Sequence, residues 1–187
     1  MFFLVANAVF DASIATWEAK RFFDSVRPIT AIRWLFEGHF VQGWLGANGG
    51  VGSIPGETWR PFQKDTFPTP PFPEYTSGHS AFSMAAAVVL EEVTGSDAFG
   101  AAYTHNGPLQ AEPENSVPSV TLEWKTFRDA AIEAGESRIF GGIHFHEGNL
   151  EGLRLGRKVG VAVWNKALLY LNDSAYQPIL TADEPGI

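Results

Sequence analysis

Apolar residues recur at helical spacing along much of the chain, and glycine and proline punctuate them. From about Asn7 to Arg27, Phe10, Ile14, Trp17 and Arg21 follow the i, i+4, i+7, i+11 rhythm of one helical face. Pro28 limits or kinks that helix, and a shorter helical piece follows at roughly Ile29 to Phe36. From Glu37 to Pro73 glycine and proline dominate, yet Trp44, Trp59, Phe62, Phe67 and Phe72 are spread through the run, which predicts a long but ordered loop. A third helix is predicted from Ser77 to about Thr94, with Phe82, Ala86, Val89 and Val93 on its core face and Gly95 just past its end. Ser96 to Val120 reads as a second loop, after which Thr121 caps a helix running to about Ala134 and stopped by Gly135. A helical turn from Ser137 to Ile143 leads into the last helix, roughly Leu150 to Leu171, where Gly152, Gly156 and Gly160 make a stripe for close packing. No period-2 run and no internal repeat stands out, so the predicted class is all-α: a helical bundle with long ordered loops.

Composition sharpens this picture mainly by exclusion. A chain of 187 residues suits one domain, here residues 1–187, and 45% hydrophobic with 18% charged residues is a globular composition. The net charge of −8 leaves no broad footprint for nucleic acid or an anionic membrane, so any anion site must be local. The absence of cysteine removes disulfides, thiolate ligands and thiol nucleophiles, and leaves the compartment open. The N-terminus has neither the basic nor the long apolar stretch of a secretory signal. The longest apolar run, Val159 to Leu171, is interrupted by Asn165 and Lys166 and is too short to span a bilayer.

Three separated segments concentrate groups that a tetrahedral oxyanion would bind. Lys20 and Arg27, on one continuous helix, would leave the same face two turns apart. Ser77-Gly78-His79 sits where a loop becomes a helix, so Ser77 can cap while first-turn amides face an anion and Gly78 lets it approach. Arg138 offers a planar fork of donors, and His144 supplies a nitrogen able to attack phosphorus or coordinate vanadium, with His79 as acid–base partner. Taken singly, each has an ordinary explanation: a solvated helix face, a plain N-cap, a hydrogen-bonded histidine. A rival local reading is a zinc or iron site at His144, His146 and Glu147, but the spacing matches no standard helical pair and leaves the cations unused.

Together, K-x6-R-P, S-G-H and S-R-x5-H resemble the signature of the superfamily containing type 2 phosphatidic acid phosphatases, bacterial acid phosphatases and vanadium-dependent haloperoxidases, over Trp17 to about Trp164. The stretch Pro70-Pro71-Phe72-Pro73-Glu74-Tyr75-Thr76-Ser77-Gly78-His79 and the stretch Ser137 to Phe145 are more similar to the haloperoxidase versions. The resemblance implies vanadate bound at His144 as the metal ligand, its oxygens held by Lys20, Arg27, Ser77, Gly78 and Arg138, with His79 as acid–base group. It implies hydrogen peroxide, a halide and a small organic acceptor as reaction partners, and places Trp17 and Phe72 near the halide. The same cradle suits phosphate, with His144 as nucleophile in a phosphomonoester hydrolase; the motif does not separate these chemistries, and a non-catalytic oxyanion-binding fragment is a third reading.

Two departures accompany the resemblance. The phosphatase pattern continues from the histidine as H-x3-D, whose carboxylate orients the imidazole, whereas here that position is Gly148; the adjacent Glu147 is the expected substitute. Thr76 replaces the usual proline before the serine. Haloperoxidases of this kind carry two helical bundles and this chain resembles the second, so the expectation is a homo-oligomer or completion by an N-terminal half.

Overall fold

Every cation of the site depends on where helices stop. The computed structural model describes residues 1–109, 111–113 and 119–171; the remainder of the proposed 1–187 domain, and parts of the Ser96–Val120 loop, lie outside the described residues. Helix α1 spans Phe2–Phe23 and closes on Asp24 in the left-handed region (φ 42°), a conformation its short polar side chain tolerates. Arg27 is therefore not on that helix. The residue before a proline is driven out of the α region, so Arg27 is extended (ψ 156°) and is the N-cap of α2, Pro28–Leu35. The expected two-turn spacing of Lys20 and Arg27 on one helix is thus corrected: the two come together across a helix break.

The buried face of α1 also differs from the predicted one. Ala8, Ala12, Thr16 and Lys20 are buried, whereas Phe10, Ile14, Trp17 and Arg21 lie outward. Small side chains let α1 approach α3 (Gly78–Thr94) closely, where Ala8 and Ala12 pack on Ala85 and Val89. Helix α3 is the hub, packed against α1, α4 (Phe127–Phe140) and α5 (His146–Leu171). A second cluster, Met84, Ala87, Val88, Ala131, Leu153 and Val161, fills the space between α3, α4 and α5. Each buried valine, leucine or methionine side chain there contributes roughly 1.5–3 kcal/mol. The glycine stripe of α5 does pack as expected: a Cβ at Gly152 would sit 2.6 Å from Ser77 O, and one at Gly156 would overlap Ala81 O.

The architecture is mostly helical rather than all-α, because two antiparallel hairpins interrupt it. Strands β1 (Phe40–Trp44) and β2 (Val51–Pro55) pair with each other, as do β3 (Ala98–His105) and β4 (Val120–Thr126). Both pairs occupy chain predicted as loop, and β4 also takes the predicted start of a helix. Val120-Thr121-Leu122-Glu123-Trp124-Lys125-Thr126 alternates apolar and polar residues and carries β-branched and aromatic side chains, which favour a strand. The cap is consequently Thr126, not Thr121, and it forms a reciprocal capping box with Asp129. Gly135 does not end this helix; it is buried mid-helix, where any Cβ would overlap Asn149 Oδ1. Ser137 and Arg138 belong to the last turn of α4, not to a separate turn, and α5 begins at His146, ahead of the expected Leu150.

Candidate active site

The end of α1, the segment before α3, the start of α3 and the α4–α5 junction converge on a pocket of about 150 Å³. Of the predicted residues, Trp17, Lys20, Arg27, Phe72, Gly78, His79, Arg138 and His144 line it. Ser77 is fully buried just behind, where its hydroxyl caps α3 (Ser80 N at 3.4 Å) and meets Ser80 Oγ at 2.7 Å. Ser80 Oγ in turn meets Asn149 Oδ1 at 2.5 Å, tying α3 to α5 behind the pocket. The amides of Gly78 and His79, in the first turn of α3, have no helical carbonyl behind them to bond.

The cations are not a solvated face. Lys20 is 2% exposed and Arg27 5% exposed. Lys20 Nζ donates to Pro73 O and Glu74 O, each at 2.9 Å. Arg27 Nε donates to Phe72 O (2.9 Å), and its Nη1 donates to Ile143 O (2.8 Å) and contacts His144 Nε2 at 3.1 Å. Arg27 Nη2 and Arg138 Nε, by contrast, are buried without a hydrogen-bond partner. Thr16 Oγ1, on the same pocket wall, is buried and unpartnered too. Burial and the neighbouring Arg27 charge lower the Lys20 pKa to about 8, against the pull of Glu74. Burial lowers Arg27 to about 10 despite Glu74, and burial lowers Arg138 as well.

His144 is held from behind by Glu74, whose Oε1 lies 2.5 Å from Nδ1. An ionised carboxylate only accepts, so Nδ1 carries the proton and Nε2 presents a lone pair, consistent with Arg27 donating to it. Burial pushes the His144 pKa down, against the Glu74 hydrogen bond, which keeps the imidazole available as a ligand or nucleophile. His79 is also lowered, by burial and then by the Arg138 and His144 charges. Trp17 and Phe72 pack at 4.8 Å between ring centroids, and the Phe72 ring lies 5.3 Å from Lys20 Nζ and 5.0 Å from the Arg27 guanidinium carbon.

One expectation is corrected, and the rival metal reading finds no support. Glu147 does not take over from the missing carboxylate: it is exposed at the start of α5, and Glu74 meets the imidazole instead. His146 is exposed as well while His144 is buried, and no cluster of three metal-ligating side chains occurs among the described residues. Sequence reasoning missed Glu74 and Thr16. Gly148 was the available signal for Glu74, since a glycine where a carboxylate is expected leaves a space that another side chain can fill. Thr16, one residue before Trp17 on an apolar helix, left no signal.

The fold has known counterparts. The family of the VCPO second helical-bundle domain matches residues 1–173. Among solved structures, a holo-type bacterial vanadium-dependent chloroperoxidase is similar with a TM-score of 0.81 and 24% identity, covering 91% of this chain and 36% of that one. The apo-type bacterial vanadium-dependent chloroperoxidase gives 0.79 and 25%, covering 86% and 34%. The first bacterial vanadium-dependent iodoperoxidase gives 0.60 and 34%, covering 87% and 32%. This chain spans about a third of the length of these structures. No curated protein matches it. A match over residues 1–173 to that one domain, on a bundle of the same architecture, makes this chain a member of the vanadium haloperoxidase-like superfamily, within the family of the VCPO second helical-bundle domain.

Proposed function

We propose that this pocket binds vanadate and supports oxidation of a halide by hydrogen peroxide, yielding a hypohalous species that reacts with a small organic acceptor. The observation that carries this reading is the pair of orphaned guanidinium donors, Arg27 Nη2 and Arg138 Nε, on residues that share a pocket with Lys20 and a neutral His144. Buried donors without partners are costly, about 1–3 kcal/mol each and more for charged groups, and a tetrahedral oxyanion satisfies them. The donor set fits such a group: fork-shaped cations, first-turn amides of α3 and an imidazole lone pair, which here accepts from Arg27 Nη1 at 3.1 Å.

Bound vanadate would supply a Lewis-acid centre that activates peroxide without changing its own oxidation state. The chain's residues do the rest. Lys20, Arg27, Arg138 and the Gly78 amide hold and neutralise the oxygens, with Ser77 setting the helix start behind them. His144 Nε2 is the ligand atom. His79, neutral at neutral pH because its pKa is lowered, accepts a proton from the incoming peroxide and returns it as halide, peroxide and a proton become hypohalous acid and water. Trp17 and Phe72 form an apolar wall beside the cations, suited to a weakly hydrated halide.

The test is bromide oxidation by the purified chain with hydrogen peroxide, before and after orthovanadate, with phosphomonoester hydrolysis measured alongside. Vanadate-dependent oxidation that disappears in His144→Ala, with helicity retained, is the expected outcome. Hydrolysis inhibited by vanadate, without halide oxidation, would transfer the site to phosphohistidine chemistry. Silence in both assays would leave an oxyanion-binding fragment that lacks the activity.

A further inference from the structure

The carboxylate behind His144 comes from an unexpected place. Glu74 precedes α3 by a few residues and is 3% exposed, yet its Oε1 reaches His144 Nδ1 at 2.5 Å and accepts from Phe145 N at 3.2 Å. Its backbone is anchored on both sides. Glu74 N donates to Ser25 O (3.0 Å), Tyr75 N donates to Ser25 Oγ (2.8 Å), and Glu74 O accepts from Lys20 Nζ (2.9 Å). The same carboxylate fills the space beside Gly148 in the first turn of α5, where a Cβ would overlap it. Gly148 is the position at which the H-x3-D pattern places its aspartate. One volume behind the imidazole can therefore be filled from α5 or from the segment before α3, but not from both.

We propose that Glu74 is the positioning residue for His144, and that the missing side chain at Gly148 is what admits it: the orienting carboxylate has moved from α5 to the segment before α3. The proposal deepens the reading above and rests on His144 Nε2 being the ligand atom. Its physical content is a tautomer. An acceptor at Nδ1 places the proton there and leaves the Nε2 lone pair toward the pocket; without Glu74 the imidazole can protonate either nitrogen and rotate. The change is coupled. Gly148→Asp with Glu74 in place would bring two carboxylates into contact, and Glu74→Ala with Gly148 in place would leave Nδ1 facing a void.

The experiment combines nitrogen NMR of His144 in the ligand-free chain with calorimetric titration of orthovanadate. The variants are Glu74→Ala, Glu74→Gln, Gly148→Asp and the double variant Glu74→Ala with Gly148→Asp. The wild-type chain is expected to show the Nδ1-protonated tautomer. Glu74→Ala should give mixed tautomers and orthovanadate binding about 10- to 100-fold weaker, the range for losing the partner of a metal-binding histidine. Glu74→Gln keeps the shape but donates as well as accepts, so it should also mix the tautomers, and it carries the test if the alanine variant fails to fold. The double variant should recover both readouts relative to Glu74→Ala, whereas Gly148→Asp alone should lose affinity. An unchanged tautomer in both Glu74 variants, or a double variant no better than Glu74→Ala, overturns the proposal. If the wild-type chain binds no orthovanadate, the vanadate reading fails, while the tautomer measurement still decides the role of Glu74.

Discussion

Arg138 and Lys20 show how burial changes what a cationic side chain can do: it leaves a donor of one without a partner and lowers the pKa of the other. Arg138 lies in the last turn of α4 with a buried, unpartnered Nε, a donor that a bound oxyanion would satisfy under the proposed function. Removing it as Arg138→Ala should weaken orthovanadate binding by about 10- to 100-fold, the equivalent of one charged hydrogen bond at roughly 1.5–3 kcal/mol, read by calorimetry. Lys20 adds a pH dependence. Its pKa falls from 10.5 to about 8 in the folded chain, so the unfolded chain holds more protons between those values and stability gains with rising pH across that window. Oxyanion binding runs the other way, because it needs the ammonium. Sulfate affinity, chosen because sulfate keeps its charge over this range, should fall as pH rises through about 8, and Lys20→Met should flatten that profile. A pH-independent wild-type affinity would mean that Lys20 does not face the anion.

At the scale of elements, the site depends on helices approaching more closely than ordinary side chains allow. Gly156 faces the carbonyl of Ala81 on α3, which cannot swing aside as a side chain would. Alanine improves helix propensity by about 1 kcal/mol, but overpacking a rigid contact costs roughly 1–3 kcal/mol, so Gly156→Ala should lower stability overall. A lower urea midpoint at unchanged slope would show it; a higher midpoint would mean that α3 and α5 can part without loss. The stripe at Gly152, Gly156 and Gly160 was legible from its spacing. The β3–β4 hairpin was not read from the sequence: the alternation from Val120 to Thr126 is short, and Thr121 suggested a helix cap instead. Local propensity alone does not decide between strand and helix for so short a run.

For the whole molecule, the outward face of α1 is the conspicuous feature. Phe3, Phe10 and Ile14 are 76%, 62% and 54% exposed, and with Trp17 they form one stripe opposite the buried alanines. Exposed apolar stripes of this kind mark contact surfaces. Self-association is therefore expected at micromolar concentration, and Phe3→Glu with Phe10→Glu should shift the chain toward monomer in sedimentation velocity. A wild-type monomer would count against it. Among the described residues no helix is long and apolar enough to cross a membrane, so a bilayer-spanning helix is not what this stripe belongs to. The net charge of −8 coexists with three cations, Lys20, Arg27 and Arg138, lining one pocket.

The sequence by itself determined that the chain is mostly helical, the helix start near Pro28 and the cap at Ser77, because those are local effects: a periodic run of apolar side chains, a proline's steric demand, an oxygen able to cap. Only the tertiary structure decided which face of α1 is buried, since both its alanine and its phenylalanine stripes are apolar and the choice rests on how closely α3 can approach. Only the tertiary structure, too, placed Glu74 behind His144. Those residues are far apart in sequence, and what joins them is the space left by a glycine on a third segment, a volume that no local pattern records.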